Sequence, residues 1–130
     1  MEFPDNLKYT KEHEWIRTED DGSVTIGVTD YAQDQLGDIV FVELPEVGED
    51  PVTKDSPFAV VESVKAVSDV YAPLSGLVEE VNDELPNSPE VINEDPYGDG
   101  WMVRMKPSDP EEFEELMSHE EYEELVNELS

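Results

Sequence analysis

The apolar residues of this chain come in runs no longer than one β-strand, and turn-forming residues separate the runs. Ile39-Val40-Phe41-Val42-Glu43-Leu44, ended by Pro45, is one such run, and Phe58 to Val61 and Trp101 to Met105 are others. Runs this short read as strands, because a core helix needs a longer segment with apolar positions three and four apart. Val24, Ile26 and Val28 alternate with Thr25 and Gly27 after the turn Asp20-Asp21-Gly22, which predicts a half-buried strand, with Trp15-Ile16 in the strand before it. Ile39 to Leu44 is apolar at nearly every position, which predicts a strand buried on both faces. Phe58 to Glu62 and Val67 to Ala72 flank Ser63-Val64-Lys65-Ala66, a turn of hairpin length. Gly76 to Val81 reads as a further strand, and residues 83–99 read as loop with short helical turns.

Helix signals are few and sit at the edges of this pattern. Thr29 or Asp30 can cap a short helix over Asp30 to Leu36, with Gly37 as its stop. Asp109-Pro110 followed by Glu112 predicts a capping box, and Ser118 with Glu121 predicts a second. Tyr122, Leu125, Val126 and Leu129 then share one helical face. Six or seven short strands with these helices imply a small all-β sandwich or barrel with short peripheral and C-terminal helices, the latter over about 109–129. At 130 residues the expectation is one domain over 1–130.

Charge narrows the function classes. Thirty-five Asp and Glu stand against seven Lys and Arg, a formal net charge of −28. Such a field repels phosphate backbones and anionic lipid surfaces, so neither nucleic acid nor membrane is an expected partner. The acids spread from Glu2 to Glu128 rather than forming a tail, a distribution that resembles proteins of salt-saturated cytoplasm and suggests an extreme halophile. There is no cysteine, so disulfides, thiolate metal sites and cysteine nucleophiles are all excluded. Any sulfur chemistry must come on an attached group. With no apolar stretch of about 20 residues and no basic, apolar leader, the expected location is the cytoplasm.

Residues 62–76, ESVKAVSDVYAPLSG, carry the most functional information. They read as strand, tight turn and strand, with Lys65 at the tip and Glu62 and Asp69 close by in sequence. An exposed tip suits a lysine that is acylated, since acylation converts the ammonium to a neutral amide at the end of a flexible stem. It suits an ordinary solvated lysine as well, and the spacing alone favours that plainer reading.

The segment resembles the lipoyl attachment site of glycine cleavage H-proteins, and the resemblance extends further. YTKEHEWIR at 9–17, GVTDYAQDQLGDIVFVELPEVG at 27–48, Val78 to Asn82, INEDPYGDGW at 92–101 and LMSHEEYEEL near the end are all similar to that family, in its order. The resemblance implies a barrel-sandwich hybrid of the lipoyl/biotinyl type, two four-stranded antiparallel halves flanking a hairpin at about 58–72. It implies lipoic acid on Lys65 and a non-catalytic carrier role. Biotin carriers share the fold, but they usually place methionine on both sides of the lysine, where this chain has Val64 and Ala66. Free-standing lipoyl domains lack the C-terminal helices.

In the family the arm takes an aminomethyl group from a pyridoxal-phosphate glycine decarboxylase to a tetrahydrofolate-dependent aminomethyltransferase, and dihydrolipoyl dehydrogenase reoxidises it. A lipoylating enzyme is implied too, and a monomer is expected. Glu14 and Asp69 match the family's carboxylates that hold the amine of the loaded arm, whereas Glu12 stands where a small hydroxyl residue is common. Two other readings stay open: a relay that donates lipoate to other domains, and an unmodified interaction module. His13 and His119 lack the partners of a metal site. Lys54 lacks the attachment pattern, and Trp15 and Trp101 read as core or rim aromatics.

Overall fold

The computed structural model describes residues 2–48 and 51–129 of the chain, so Met1 and Ser130, the ends of the expected domain, lie outside the described residues. It is mainly β. Strands β1 (Lys8–Tyr9), β2 (Glu14–Thr18), β3 (Val24–Val28), β8 (Val103–Pro107) and β7 (Gly76–Val81) form one antiparallel sheet in that spatial order. Strands β4 (Ile39–Glu43), β5 (Pro57–Ser63) and β6 (Val67–Tyr71) form a second, with β5 in the middle. The strands therefore divide five and three, not four and four as the resemblance implied. The reason is pairing: β7 joins β8 from Gly76↔Pro107 to Val81↔Val103, while β4 has only β5 beside it.

Alternation drives the layering. Val42 and Val61 from the smaller sheet meet Val28, Val78 and Val103 from the larger one in a shared core. Burying apolar surface of this kind stabilises by ~25 cal/mol per Å², the main favourable term in a domain this size. A second cluster docks the C-terminal helix α3 (His119–Leu129), whose Tyr122 and Val126 pack with Leu7, Tyr9 and Trp15. Trp15 is fully buried and its indole lies against Gly27. A Cβ there would stand 2.7 Å from the ring, so only glycine leaves room.

The local signals are mostly realised. Helix α1 (Asp30–Leu36) is capped by Thr29, whose hydroxyl accepts from Ala32 N at 3.2 Å, and ends at Gly37 with φ of 80°. Ser118 and Glu121 exchange backbone-to-side-chain hydrogen bonds of 3.0 and 3.2 Å, the reciprocal box expected of them. Helix α2 (Val91–Glu94) falls in the segment read as loop with helical turns.

Three further expectations need correction. The strand over 24–28 is not half-buried but buried at every position, Thr25 included, because β2 and β8 flank it on both edges. The strand over 39–43 is not buried on both faces: Val40 is 51 % exposed and Phe41 48 %. It is an edge strand, and a bulge between Ile39 and Phe41 turns both side chains outward. Residues Pro110–Glu115 form a 3-10 helix without a capping box. Asp109 does accept from Glu111 N, but the Glu112 carboxylate accepts instead from Ser75 N and Oγ at 2.7 and 2.9 Å.

Candidate functional site

Lys65 stands at the tip of the β5–β6 hairpin, exposed to solvent. Ser63 organises the turn: its N–H donates to Ala66 O at 2.8 Å, and its hydroxyl accepts from the N–H groups of Lys65 and Ala66. Val64 N donates to Asp38 O at 3.1 Å, which ties the tip to the loop after α1. The stem of Lys65 passes over Gly37, where a Cβ would lie 3.6 Å from Lys65 Cε. Asn93 of α2 fixes this floor, accepting from Ile39 N and donating to Gly37 O, both at 2.9 Å. Among the described residues, Lys65 is in no ion pair.

A cleft of about 290 Å³ lies between α1 and β6. Ala32, Leu36, Tyr31 and Gln35 of α1 line one side, Ser68 of β6 the other, and Glu12 and His13 lie in its wall. His13 has φ of 70°, and its Nδ1 is 2.9 Å from Tyr122 Oη. The same phenol is 2.7 Å from Thr29 Oγ1, the α1 cap. His13 Nδ1, the Tyr122 phenol and the Thr29 hydroxyl thus form one hydrogen-bonded chain from the cleft wall to the cap of α1. Burial pushes the His13 imidazole below its usual range, against the pull of Glu12.

Glu14 is 2 % exposed. It accepts from Thr10 Oγ1 at 2.6 Å and from Tyr71 N at 3.2 Å. Burial raises its pKa to about 7, the two hydrogen bonds oppose the rise, and the nearby charges of Glu12 and Asp55 add to it. Glu14 borders a cavity of about 260 Å³ with Lys54, Asp55 and Met117. Asp69 is exposed, and borders a different cavity of about 380 Å³ with Glu43 and Val60. The two carboxylates thus border separate cavities. They are linked through β6, because Tyr71, whose N–H Glu14 holds, lies two residues beyond Asp69.

The remaining candidates take structural places. Lys54 is paired with Asp55 at 3.4 Å and Glu115 at 3.9 Å. Trp15 donates its indole N–H to Pro96 O at 2.9 Å, Trp101 is partly buried in the α3 cluster, and His119 opens α3.

The family model described as glycine cleavage H-protein matches residues 7–129. The chain belongs to the glycine cleavage H-protein family. The glycine cleavage system H protein of Psychrobacter sp. strain PRwf-1 is 62% identical over 119 residues, which cover 92% of this chain and 94% of that protein. That of Halalkalibacterium halodurans is 58% identical over 126 residues, 97% of each chain. The crystal structure of the glycine cleavage system H protein of Mycobacterium marinum superposes with a TM-score of 0.80 at 41% identity, covering 92% of this chain and 94% of that one.

As an H-protein the chain is a carrier subunit of the glycine cleavage system and not itself a catalyst. The family carries lipoate, and membership implies the system's other proteins as partners. No helix among the described residues is long and apolar enough to cross a membrane. Sequence reasoning set His13 aside as a metal ligand and did not single out Asn93. His13 lines the α1–β6 cleft and Asn93 holds Gly37 and Ile39, and their contacts lie too far along the chain to be seen in a local motif.

Proposed function

We propose that this H-protein carries its lipoyl group on Lys65 and shelters the loaded arm in the cleft between α1 and β6. The residues fit such a group. Lys65 is the exposed lysine of the turn, Ser63 holds that turn closed, and the stem lies against Gly37, the residue that follows Leu36 of the cleft wall. That placement over Gly37 carries the proposal. When attached, lipoic acid supplies the disulfide that accepts the aminomethyl group of glycine. The chain's own residues bind, orient and exclude water. Ala32 and Leu36 offer apolar contact, and Glu12 and His13 stand at the cleft's polar wall.

Glu14 and Asp69, which lie outside the lining of that cleft, are proposed as the carboxylates that hold the protonated amine when the arm lies along β6, each by a charge-assisted hydrogen bond. Asp69 lies four residues from Lys65, and Glu14 is held to the outer edge of the same strand. The pyridoxal-phosphate decarboxylase, the aminomethyltransferase, dihydrolipoyl dehydrogenase and a lipoylating enzyme are the proposed partners. The dispersed acidity further supports a protein adapted to concentrated salt.

The deciding experiment is Lys65→Arg, which keeps charge and stem but removes the acylatable amine. Intact mass should show no lipoyl adduct, glycine decarboxylation should lose its carrier, and the melting curve should stay unchanged. A lipoyl adduct on the variant would place the attachment elsewhere.

A further inference from the structure

The loop between α1 and β4, Gly37-Asp38-Ile39, is held at both ends by one side chain. Asn93 Nδ2 donates to Gly37 O at 2.9 Å and to Gln33 Oε1 at 3.0 Å, and its Oδ1 accepts from Ile39 N at 2.9 Å. These bonds use the amide oxygen and both amide hydrogens. Helix α2 is itself anchored, because Ile92, next to Asn93, is fully buried in the main core. The Asn93 amide is therefore a fixed bracket.

Between the two held ends stands Asp38, whose carbonyl accepts from Val64 N at 3.1 Å. Gly37 in turn lies under the Lys65 stem. Val64, Lys65 and Ala66 are all exposed, so burial of their side chains does little to hold the turn. The hydrogen bonds to Ser63 close the turn on itself but do not fix it against α1. The bond from Val64 N to Asp38 O does.

We propose that Asn93 is a positioning residue for the modification of Lys65: by clamping Gly37 and Ile39 it presents Asp38 O to Val64 N, and so holds the lysine turn in one orientation for the enzyme that acylates it. This rests on Lys65 being the attachment site. With lipoyl adenylate as donor, the step joins Lys65 Nζ to the lipoyl carbonyl as an amide, expels AMP and frees two protons from the ammonium. Asn93 touches none of these atoms and acts by keeping the turn ordered before the enzyme arrives. A turn ordered only part of the time binds its enzyme more weakly in proportion, whereas the docked turn reacts as before. The signature is in KM.

Asn93→Asp keeps the shape and the acceptor for Ile39 N, but sets a carboxylate oxygen against Gly37 O and Gln33 Oε1. With lipoyl adenylate and a purified lipoylating enzyme, its KM for the unlipoylated carrier should rise about tenfold with kcat unchanged. Hydrogen exchange at Val64 N should quicken by about tenfold, while exchange at Val103 N in β8 stays as in the wild type. The wild type offers a reading that needs no variant. Val64 is 69 % exposed, yet its N–H should exchange about tenfold more slowly than an unprotected amide. An unprotected Val64 amide in the wild type would overturn the link between loop and turn, and equal protection in Asn93→Asp would overturn the clamp. Wild-type KM despite a released Val64 amide, or a lower kcat at unchanged KM, would overturn the positioning role. Intact mass of Lys65→Arg is read separately: an adduct there would fail the attachment site and leave both exchange results standing.

Discussion

Lys65 lies back over Gly37, with only 3.6 Å between its Cε and the place a Cβ would take on that glycine. Gly37 also has φ of 80°, which strains any other residue by ~1–3 kcal/mol. The two constraints separate by substitution. Gly37→Ala should lower the melting temperature by roughly 5 °C while lipoylation still runs to completion. Gly37→Val should also displace the Lys65 stem and slow lipoylation, followed by intact mass over time. Wild-type lipoylation of Gly37→Val would leave Gly37 with a backbone role alone.

Glu14 predicts a pH dependence of stability. Its carboxyl is raised from 4.5 to about 7, so between these values the folded chain holds a proton that the unfolded chain has released. Its contribution is complete below pH 4.5 and is lost as pH rises through about 7, a loss on the order of 3 kcal/mol. Glu14→Gln keeps the neutral form, with Oε1 placed for Tyr71 N and the amide for Thr10. Denaturant titrations at pH 5 and pH 8 should show the variant gaining on the wild type at the higher pH. A constant difference would mean that Glu14 does not titrate in this window.

The proposed amine contacts have a kinetic readout. Each is worth ~1.5–3 kcal/mol if shielded from water, and much less if open. Lipoylated Glu14→Gln/Asp69→Asn protein, loaded with the aminomethyl group and freed of enzymes, should release formaldehyde and ammonia at least tenfold faster than wild type. Because Glu14 is buried and Asp69 exposed, Glu14→Gln alone should account for most of the change. Release at the wild-type rate would remove both residues from the arm's binding site.

Salt should stabilise the fold. The four ion pairs among the described residues, Arg17–Glu19, Lys54–Asp55, Lys54–Glu115 and Arg104–Glu80, leave most of the 35 acids without a cation. Raising KCl from low to molar concentration shortens the Debye length from ~10 Å at 0.1 M to ~3 Å and suppresses their repulsion. Thermal melts should rise by ten degrees or more. A flat response would show that the acids are already accommodated at low salt.

Features governed by neighbouring residues were legible in the sequence. The Thr29 cap, the Gly37 stop, the Ser118–Glu121 box and the Ser63–Ala66 turn each depend on residues within a few positions, and each formed where expected. Long-range relations were not. Nothing around Phe41 reveals that its strand lies at a sheet edge, because an apolar run reads the same at an edge and in a centre. Glu112 has the spacing of a capping residue, yet its carboxylate goes to Ser75, 37 positions away. His13 reads as a stray histidine until Tyr122, 109 positions on, takes its ring nitrogen. At the candidate site, Lys65 could be singled out by resemblance, but the floor beneath it, Gly37 and Asn93, required the fold.

The hold of Glu14 on Tyr71 N has a consequence for the carrier in a crowded cell. Strand β6 is an outer strand of its sheet, and an unoccupied amide on such a strand invites another chain to zip alongside. Glu14 occupies that amide from within, and Asp69 adds an exposed charge two residues away. A shuttle must be abundant and must let go of everything it touches. Guarding the rim of the hairpin that bears Lys65 keeps encounters brief, and keeps a concentrated pool of carriers from sticking to itself.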